Sequence, residues 1–239
     1  MARLPRLYAP RIPQLVQARL ARPLSAPGDP APAPLLDKIQ EWLAAESDGH
    51  AIALHAWALL PERITLLLTP SDKQAAARLM QALGRRMGSG LLRARVYAGR
   101  YHNALLEPGR WVLPAMLAVE TLAVTGREVD QAARWPWSSA AEHAGFEGLG
   151  VRPALADHPD YWRIGDTPFA RQAAWRERLV DGLADSQRLA LESALHGQWA
   201  LGEKIFLAHL GRLASRRVSP APRGRPRKKA LEAKIREPR

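Results

Sequence analysis

The sequence predicts an α+β protein in which helices cover one face of an antiparallel sheet. The segment LLPERITLLLTP, residues 59 to 70, consists of two apolar runs that meet at Pro-Glu-Arg, which is typical of a β-hairpin. Apolar residues at helical spacing precede and follow it. Beyond about residue 134 the pattern changes to short helices and loops. We therefore expect an α+β domain over 1–133, a small helical extension over 134–215 and a basic, disordered tail over 216–239.

The elements of the first domain follow an order that specifies the sheet. We expect strands over 14–21, up to Leu60, over 64–69 and, once or twice, within 91–107, and helices over 35–46, 73–87 and 110–124. The Pro-rich stretch SAPGDPAPAP between the first strand and the first helix has to be a loop. Hairpin-linked strands with two helices returning over one face give a ferredoxin-like sheet.

The C-terminal extension shows helical spacing at 184–195 and 202–214. Tryptophan recurs through this part of the chain, and we expect these rings to belong to the core and not to form stacking platforms for bases. They are Trp135, Trp137, Trp162, Trp175 and Trp199.

Composition and charge favour a polyanion as partner. The chain has 239 residues, a formal net charge of +12 and a sequence pI near 10.9. Nucleic acid is the commonest partner of a strongly basic protein, although Arg used for solubility also accounts for such a composition. The chain has no cysteine, which excludes disulfides, thiolate metal sites and cysteine nucleophiles. With no signal-peptide core and no apolar run of membrane-span length, a cytoplasmic location is expected.

Most of the charge lies in the tail. Residues 212–239 contain eleven Arg or Lys and two Glu, which is nine of the twelve net positive charges. The string RGRP, with Arg223 and Arg225, resembles the core of an AT-hook, in which an extended Arg-Gly-Arg lies in a narrow minor groove. Alternatively, these residues and Arg227, Lys228 and Lys229 hold phosphates without reading the sequence.

Histidine spacing indicates no metal site. The seven histidines form neither an H-x-H nor an HExxH pair. His55, on the strand before the hairpin, is better explained as a hydrogen-bonded sheet residue than as a ligand. On the strand after the hairpin, Arg63 and Thr65 project from one face, because side chains alternate along a strand.

Several strings, in this order, resemble the REP-associated tyrosine transposases, a branch of the single-tyrosine, His-hydrophobic-His transposase superfamily. They are LHAWALLP with TLLLTP, LMQALGRRM, AGRYHNALLE, WPWSS, HPDYWRIGDTPFARQAAWRE, GQWALGEKIF and GRPRKK. The resemblance spans nearly the whole chain. It implies a ferredoxin-like body and recognition and cleavage of hairpin-forming single-stranded DNA repeats during transposition.

The catalytic residues that the resemblance implies are absent from this chain. In the family, the hairpin proline precedes Asn-His-x-His, whose histidines hold a divalent metal such as Mg²⁺ or Mn²⁺ against the scissile phosphate. The matching positions here are Arg63 and Thr65. The tyrosine that forms the phosphotyrosine link matches Ala118, which has no nucleophile. We therefore expect no metal cofactor and no catalytic residue, because metal and nucleophile act as a unit.

We accordingly expect a transposase-like protein that binds single-stranded or hairpin DNA without cutting it. The alternatives are an enzyme that cuts DNA with other residues, and an interaction protein that does not bind DNA. Arg63 suits holding a phosphate bidentately, unless it is only a hairpin-tip arginine paired with Glu62. The expected DNA-binding residues are Arg63, Arg85, Arg86, Arg100, Arg223, Arg225, Arg227, Lys228 and Lys229.

Overall fold

The strands form one sheet in the order β2-β3-β1-β4-β5. The computed structural model describes residues 5–26, 28–92, 95–148, 150–214 and 216–220. The strands are β1 (Gln14–Arg19), β2 (Ala53–Leu60), β3 (Arg63–Thr69), β4 (His102–Leu106) and β5 (Ala200–Leu201). Neighbours are antiparallel except β4 and β5, which are parallel. With β3 and β1 in the centre, the first four strands have the ferredoxin-like order, and the predicted α+β class is confirmed.

The helices lie between and after these strands. They are α1 (Ala33–Gly49), α2 (Ala75–Met87), α3 (Val112–Glu120), α4 (Leu122–Thr125), α5 (Ala140–His143), α6 (Pro159–Trp162), α7 (Pro168–Asp181), α8 (Asp185–Gly197) and α9 (Lys204–Leu213). The helix expected over 110–124 is divided at Thr121, whose hydroxyl donates to the carbonyl oxygen of Leu117 at 2.7 Å. Such a side-chain bond to the preceding turn bends a helix.

Helices α1 and α2 cover one face of the sheet, as expected. Leu36, Ile39 and Leu43 of α1 recur at helical spacing and are fully buried in the same core as Leu79 and Leu83 of α2. The second face of the sheet is also covered, by α3, α7 and α8, which the sequence analysis did not anticipate. The reason lies in the central strands, because both alternating sets of their side chains are apolar and each set needs a cover.

The WPWSS segment closes the outer edge of β2. The backbone N–H of Leu59 donates to the carbonyl of Trp137 at 2.8 Å, and the N–H of Ser139 donates to the carbonyl of Trp57 at 2.9 Å. These bonds pair groups that an edge strand would otherwise expose. Trp135 and Trp137 are buried behind this edge, as predicted.

The prediction for the remaining tryptophans is confirmed for one of them. Trp175 is fully buried, and Trp199 is half-buried. Trp162 is 54% exposed, so its predicted place in the core is wrong. The guanidinium of Arg171 lies 3.9 Å from the centroid of the Trp162 indole ring. Arg171, and not the core, therefore covers part of the ring surface.

His55 fastens β2 to a neighbouring strand and to the segment before α6. Its Nδ1 lies 2.6 Å from the carbonyl oxygen of Ala156, and its Nε2 lies 2.8 Å from the hydroxyl of Thr69. Because a carbonyl only accepts, Nδ1 carries the hydrogen, and Nε2 of the neutral ring accepts from Thr69. The predicted role of His55 as a hydrogen-bonded sheet residue is confirmed. Burial lowers the pKa of His55 to about 4, and the nearby His158 contributes.

Acid should therefore weaken the fold through His55. The ring binds a proton near pH 6.5 in the unfolded chain but only near pH 4 in the folded one, so protonation favours unfolding. Its contribution is present above pH 6.5 and is lost as the pH falls towards 4, by roughly 2–3 kcal/mol. Urea unfolding of wild type and His55→Gln between pH 4.5 and 7 measures it. The variant should lose this part of the pH dependence, and the exposed-site control His209→Gln should keep it.

The described helices include none that is both long and apolar enough to span a bilayer.

Candidate nucleic-acid interface

Three positions that the sequence analysis singled out, two on β3 and one on α3, lie around one cavity. Arg63 and Thr65 on β3 and Ala118 on α3 all line a cavity of about 430 Å³ between the sheet and the helices of its second face. We call it the hairpin cavity, after the β2–β3 hairpin. The remaining walls come from β1, from the segment through α4, and from α7 and α8. Strand alternation aims the two β3 side chains at this face, while Ile64 and Leu66 pack in the opposite core.

Arg63 combines the two arrangements left open by the sequence. Its Nε–H donates to Glu62 Oε1 at 2.7 Å, so the pairing with Glu62 is present. The two terminal nitrogens have no acceptor within the described ranges. The side chain is 29% exposed, so these nitrogens are available to a phosphate. Thr65 is buried, and its hydroxyl accepts from the Nε2 of Gln17 at 3.3 Å.

The residues at this position do not fit a divalent metal. Mg²⁺ and Mn²⁺ take carboxylate, carbonyl and imidazole ligands, whereas Arg63 presents a cation and Ala118 a methyl group. The carboxylate in the cavity wall is that of Glu192, to which Arg188 lies 3.8 Å away. The described part of the chain contains no group of three or more His, Asp or Glu that could hold a metal ion.

The nearest tyrosines lie away from this cavity. Tyr97 and Tyr101 line a different hollow and not the cavity of Ala118. The hydroxyl of Tyr97 donates to the carbonyl of Met80 at 3.0 Å, and burial raises the pKa of Tyr97. Burial likewise raises the pKa of Tyr101. Burial therefore favours the neutral form of both phenols.

That other hollow is a basic groove of about 1070 Å³. It runs between α2 and the loop 95–101 that leads into β4, and Arg6 closes one side. Its charged lining residues are Arg6, Arg85, Arg95 and Arg100. Asp and Glu do not occur among its lining residues. We call this surface the basic groove.

Close packing of aromatic rings builds the groove floor. A Cβ on Gly84 of α2 would lie 2.8 Å from the ring of Tyr97, so only glycine lets the helix come this close. Arg95 donates to the carbonyls of Tyr97 and Ala98 at 3.0 and 2.6 Å, which holds the loop in place. The guanidinium of Arg6 stacks 3.4 Å from the centroid of Tyr101.

The groove concentrates positive charge. Neither Arg85 nor Arg95 forms an ion pair with any carboxylate in the described ranges. Burial lowers the pKa of Arg6; the phenol of Tyr101 opposes this effect, and the nearby guanidinium of Arg100 adds to it. A hollow that is lined by arginines, with no Asp or Glu among its described lining residues, attracts a polyanion, and phosphodiesters suit the planar donor geometry of guanidinium groups.

The expected DNA-binding residues fall into separate places. Arg85 and Arg100 meet in the basic groove, and Arg63 lines the hairpin cavity. Arg86 does not line the groove and is paired with Glu46 at 2.6 Å. The five expected residues of the tail, from Arg223 to Lys229, lie outside the described residues. Arg6 and Arg95 were not identified by the sequence analysis, because nothing in their spacing ties them to α2.

A buried carboxylate that the sequence analysis also missed holds α3 in place. Glu120 is fully buried and accepts from the hydroxyl of Ser139 at 2.5 Å, from Nδ1 of His143 at 2.5 Å and from Nε1 of Trp175 at 2.7 Å. Burial opposes the charge on His143, but attraction to Glu120 outweighs it and raises the pKa of His143. Glu120 is the one charged residue between 111 and 126, and that isolation was the available signal.

Comparison with known proteins gives similarity to solved structures. No protein-family model matches this chain, and no curated protein matches it. A solved structure of the REP-associated tyrosine transposase bound to a REP hairpin is similar, with a TM-score of 0.49 and 13% sequence identity. The similarity covers 67% of this chain and 96% of that one. At such a sequence identity, a likeness of this kind concerns the fold alone.

Proposed function

We propose that this protein binds nucleic acid, with single-stranded or hairpin DNA as its ligand, and does not cut it. The observation that carries the proposal is the basic groove, in which four arginines face one hollow without a carboxylate. A surface of this kind binds a phosphate backbone through charge-assisted hydrogen bonds and counterion release.

The residues of the hairpin cavity support binding of the ligand without cleavage. The terminal nitrogens of Arg63 can hold a phosphate bidentately, but a guanidinium does not activate a nucleophile as a metal does. Ala118 on the opposite wall has no group to attack the phosphate. The resemblance of the sequence motifs supports DNA as the ligand. The basic tail supports a polyanion without distinguishing DNA from RNA.

The decisive experiment measures binding and cleavage together. We expect purified protein to retard a hairpin-bearing single-stranded oligonucleotide in a gel and to release it at high salt. Incubation with Mg²⁺ or Mn²⁺ should give neither a nicked product nor a covalent protein–DNA adduct, and EDTA should leave binding unchanged.

Each alternative gives a different result in that experiment. Metal-stimulated nicking that disappears in Tyr97→Phe or Tyr101→Phe would show an enzyme that uses other residues. Absence of retardation at physiological salt would leave an interaction protein that does not bind DNA. Either result contradicts the proposal.

Truncation after Val218 should weaken binding and flatten its salt dependence. It removes five basic residues between Arg223 and Lys229, each able to neutralise a phosphate. For single-stranded DNA the slope of log K against log salt should fall by about 3 units. A full-length control with these five residues changed to Gln should behave like the truncated chain. An unchanged salt slope in both would exclude the tail from binding.

A further inference from the structure

The hairpin cavity has one apolar and one polar side. Leucines from the sheet and from the helices of the second face form the apolar walls: Leu15, Leu122, Leu179, Leu183, Leu191 and Leu195. Gln17, Thr65 and Arg63 form the polar side at the sheet. Gln17 and Thr65 are directly opposite each other on β1 and β3, so their side chains share this face.

The polar side has hydrogen-bonding capacity that the protein does not use. Nε2 of Gln17 donates to Thr65, but Oε1 of Gln17 has no partner in the described part of the chain. The terminal nitrogens of Arg63 are likewise without an acceptor there. A wholly aliphatic occupant would leave these groups unpaired and desolvated, which is unfavourable for each group. The cavity therefore suits a molecule with apolar faces and a polar edge.

The size of the cavity agrees with a heterocyclic ring. A cavity of about 150 Å³ is enough for one benzene ring. The volume of about 430 Å³ therefore admits a larger ring system with an attached sugar. Nucleobases have this combination of apolar faces and a polar edge, and extruded bases are held between apolar side chains while their edge is hydrogen-bonded.

A basic surface leads from the basic groove to this cavity. A second hollow of about 440 Å³ shares Arg95 and Arg100 with the groove and reaches His102 at the start of β4. His102 is directly opposite Gln17, which lines the cavity. Neighbouring strands lie about 4.8 Å apart, so this second hollow ends one strand away from a residue of the cavity wall.

We propose that the cavity receives one unpaired nucleobase of the bound nucleic acid, with its 5′ or 3′ phosphate at Arg63. This rests on the proposed nucleic-acid function and adds a site to it. The base stacks between leucine side chains, and its edge bonds to the amide of Gln17 and the hydroxyl of Thr65. The amide of a glutamine pairs bidentately with adenine, which makes adenine the preferred base.

The test separates base from backbone. Two hairpin oligonucleotides carry the same 5′ extension of four nucleotides, one with adenines and one with abasic sites, so that their charge is identical. We expect the wild-type protein to bind the adenine probe at least tenfold more tightly. Ala118→Phe, which fills the cavity, should bind both probes equally, at the wild-type affinity for the abasic probe. The control Ala170→Phe, on the exposed side of α7, should keep the tenfold difference.

Further variants keep the proposal open to refutation. If Ala118→Phe fails to fold, Gln17→Leu should still reduce the tenfold difference to threefold or less. Equal binding of both probes by the wild-type protein would overturn the base pocket and leave the nucleic-acid function standing. Loss of both probes would instead contradict that function. Displacement of the adenine probe by decanoate but not by adenosine monophosphate would assign the cavity to an apolar acid and overturn the proposal.

Discussion

Replacing Glu120 with glutamine should lower the free energy of unfolding by about 3–5 kcal/mol, the range for breaking a buried ion pair. The carboxylate accepts three hydrogen bonds, from Ser139 and His143 at the two ends of α5 and from Trp175 on α7. An amide offers one acceptor oxygen and two N–H groups, so donors would face donors. His143, whose pKa is raised by attraction to Glu120, would also lose this counter-charge. Urea or guanidinium unfolding at pH 7 gives the value.

A neighbouring carboxylate provides the matched control. Glu142 is 44% exposed and lies 3.7 Å from Arg152, so Glu142→Gln should cost less than about 1 kcal/mol. A similar, small loss in Glu120→Gln would mean that the three hydrogen bonds add little to stability. Glu120→Gln should also change the shape of the hairpin cavity, because Ala118 lies two residues before Glu120 on α3.

The double variant Arg85→Gln/Arg100→Gln should reduce affinity for hairpin DNA about 100-fold. Each lost charge-assisted hydrogen bond to phosphate costs about 1.5 kcal/mol or more. The slope of log K against log salt should also fall by about 1.5–2 units, since two phosphates lose their partner. Fluorescence anisotropy titrations at several salt concentrations measure both quantities.

A variant of equal charge separates the groove from general electrostatics. Arg78 pairs with Asp72 and Arg134 pairs with Asp130, and neither lines the groove. Arg78→Gln/Arg134→Gln therefore also removes two positive charges, but from other surfaces. We expect it to lower the affinity for hairpin DNA less than fivefold. Equal losses in the two double variants would show that net charge, and not the groove, determines binding.

Periodicity was sufficient to predict the hairpin and the helices α1 and α2. The alternation in RITLLLT specifies a strand with two faces, and the spacing of Leu79 and Leu83 specifies the inward side of α2. These are local properties, because a strand or helix orients each side chain by its own geometry. The positions of Arg63, Thr65 and Ala118 came from the order of motifs, and all three line one cavity.

Contacts between distant segments could not be predicted in this way. Arg6 and Arg95 join Arg85 in one groove only because the chain before β1 and the loop before β4 both pass the end of α2. The length of the strand region 91–107 was also overestimated. The loop at 95–101 packs against α2 through Gly84 and Tyr97, and the strand that the described residues of this region form is β4.

The sequence by itself determined the α+β class, the hairpin and the apolar faces of α1 and α2. The tertiary structure alone decided that the second face of the sheet is covered, that Glu120 is the anchor of α3, and that four arginines form one groove. The physical reason is the distance along the chain over which each effect acts. Backbone geometry and side-chain alternation act over a few residues, whereas burial, ion pairing and charge density depend on segments that only folding brings together.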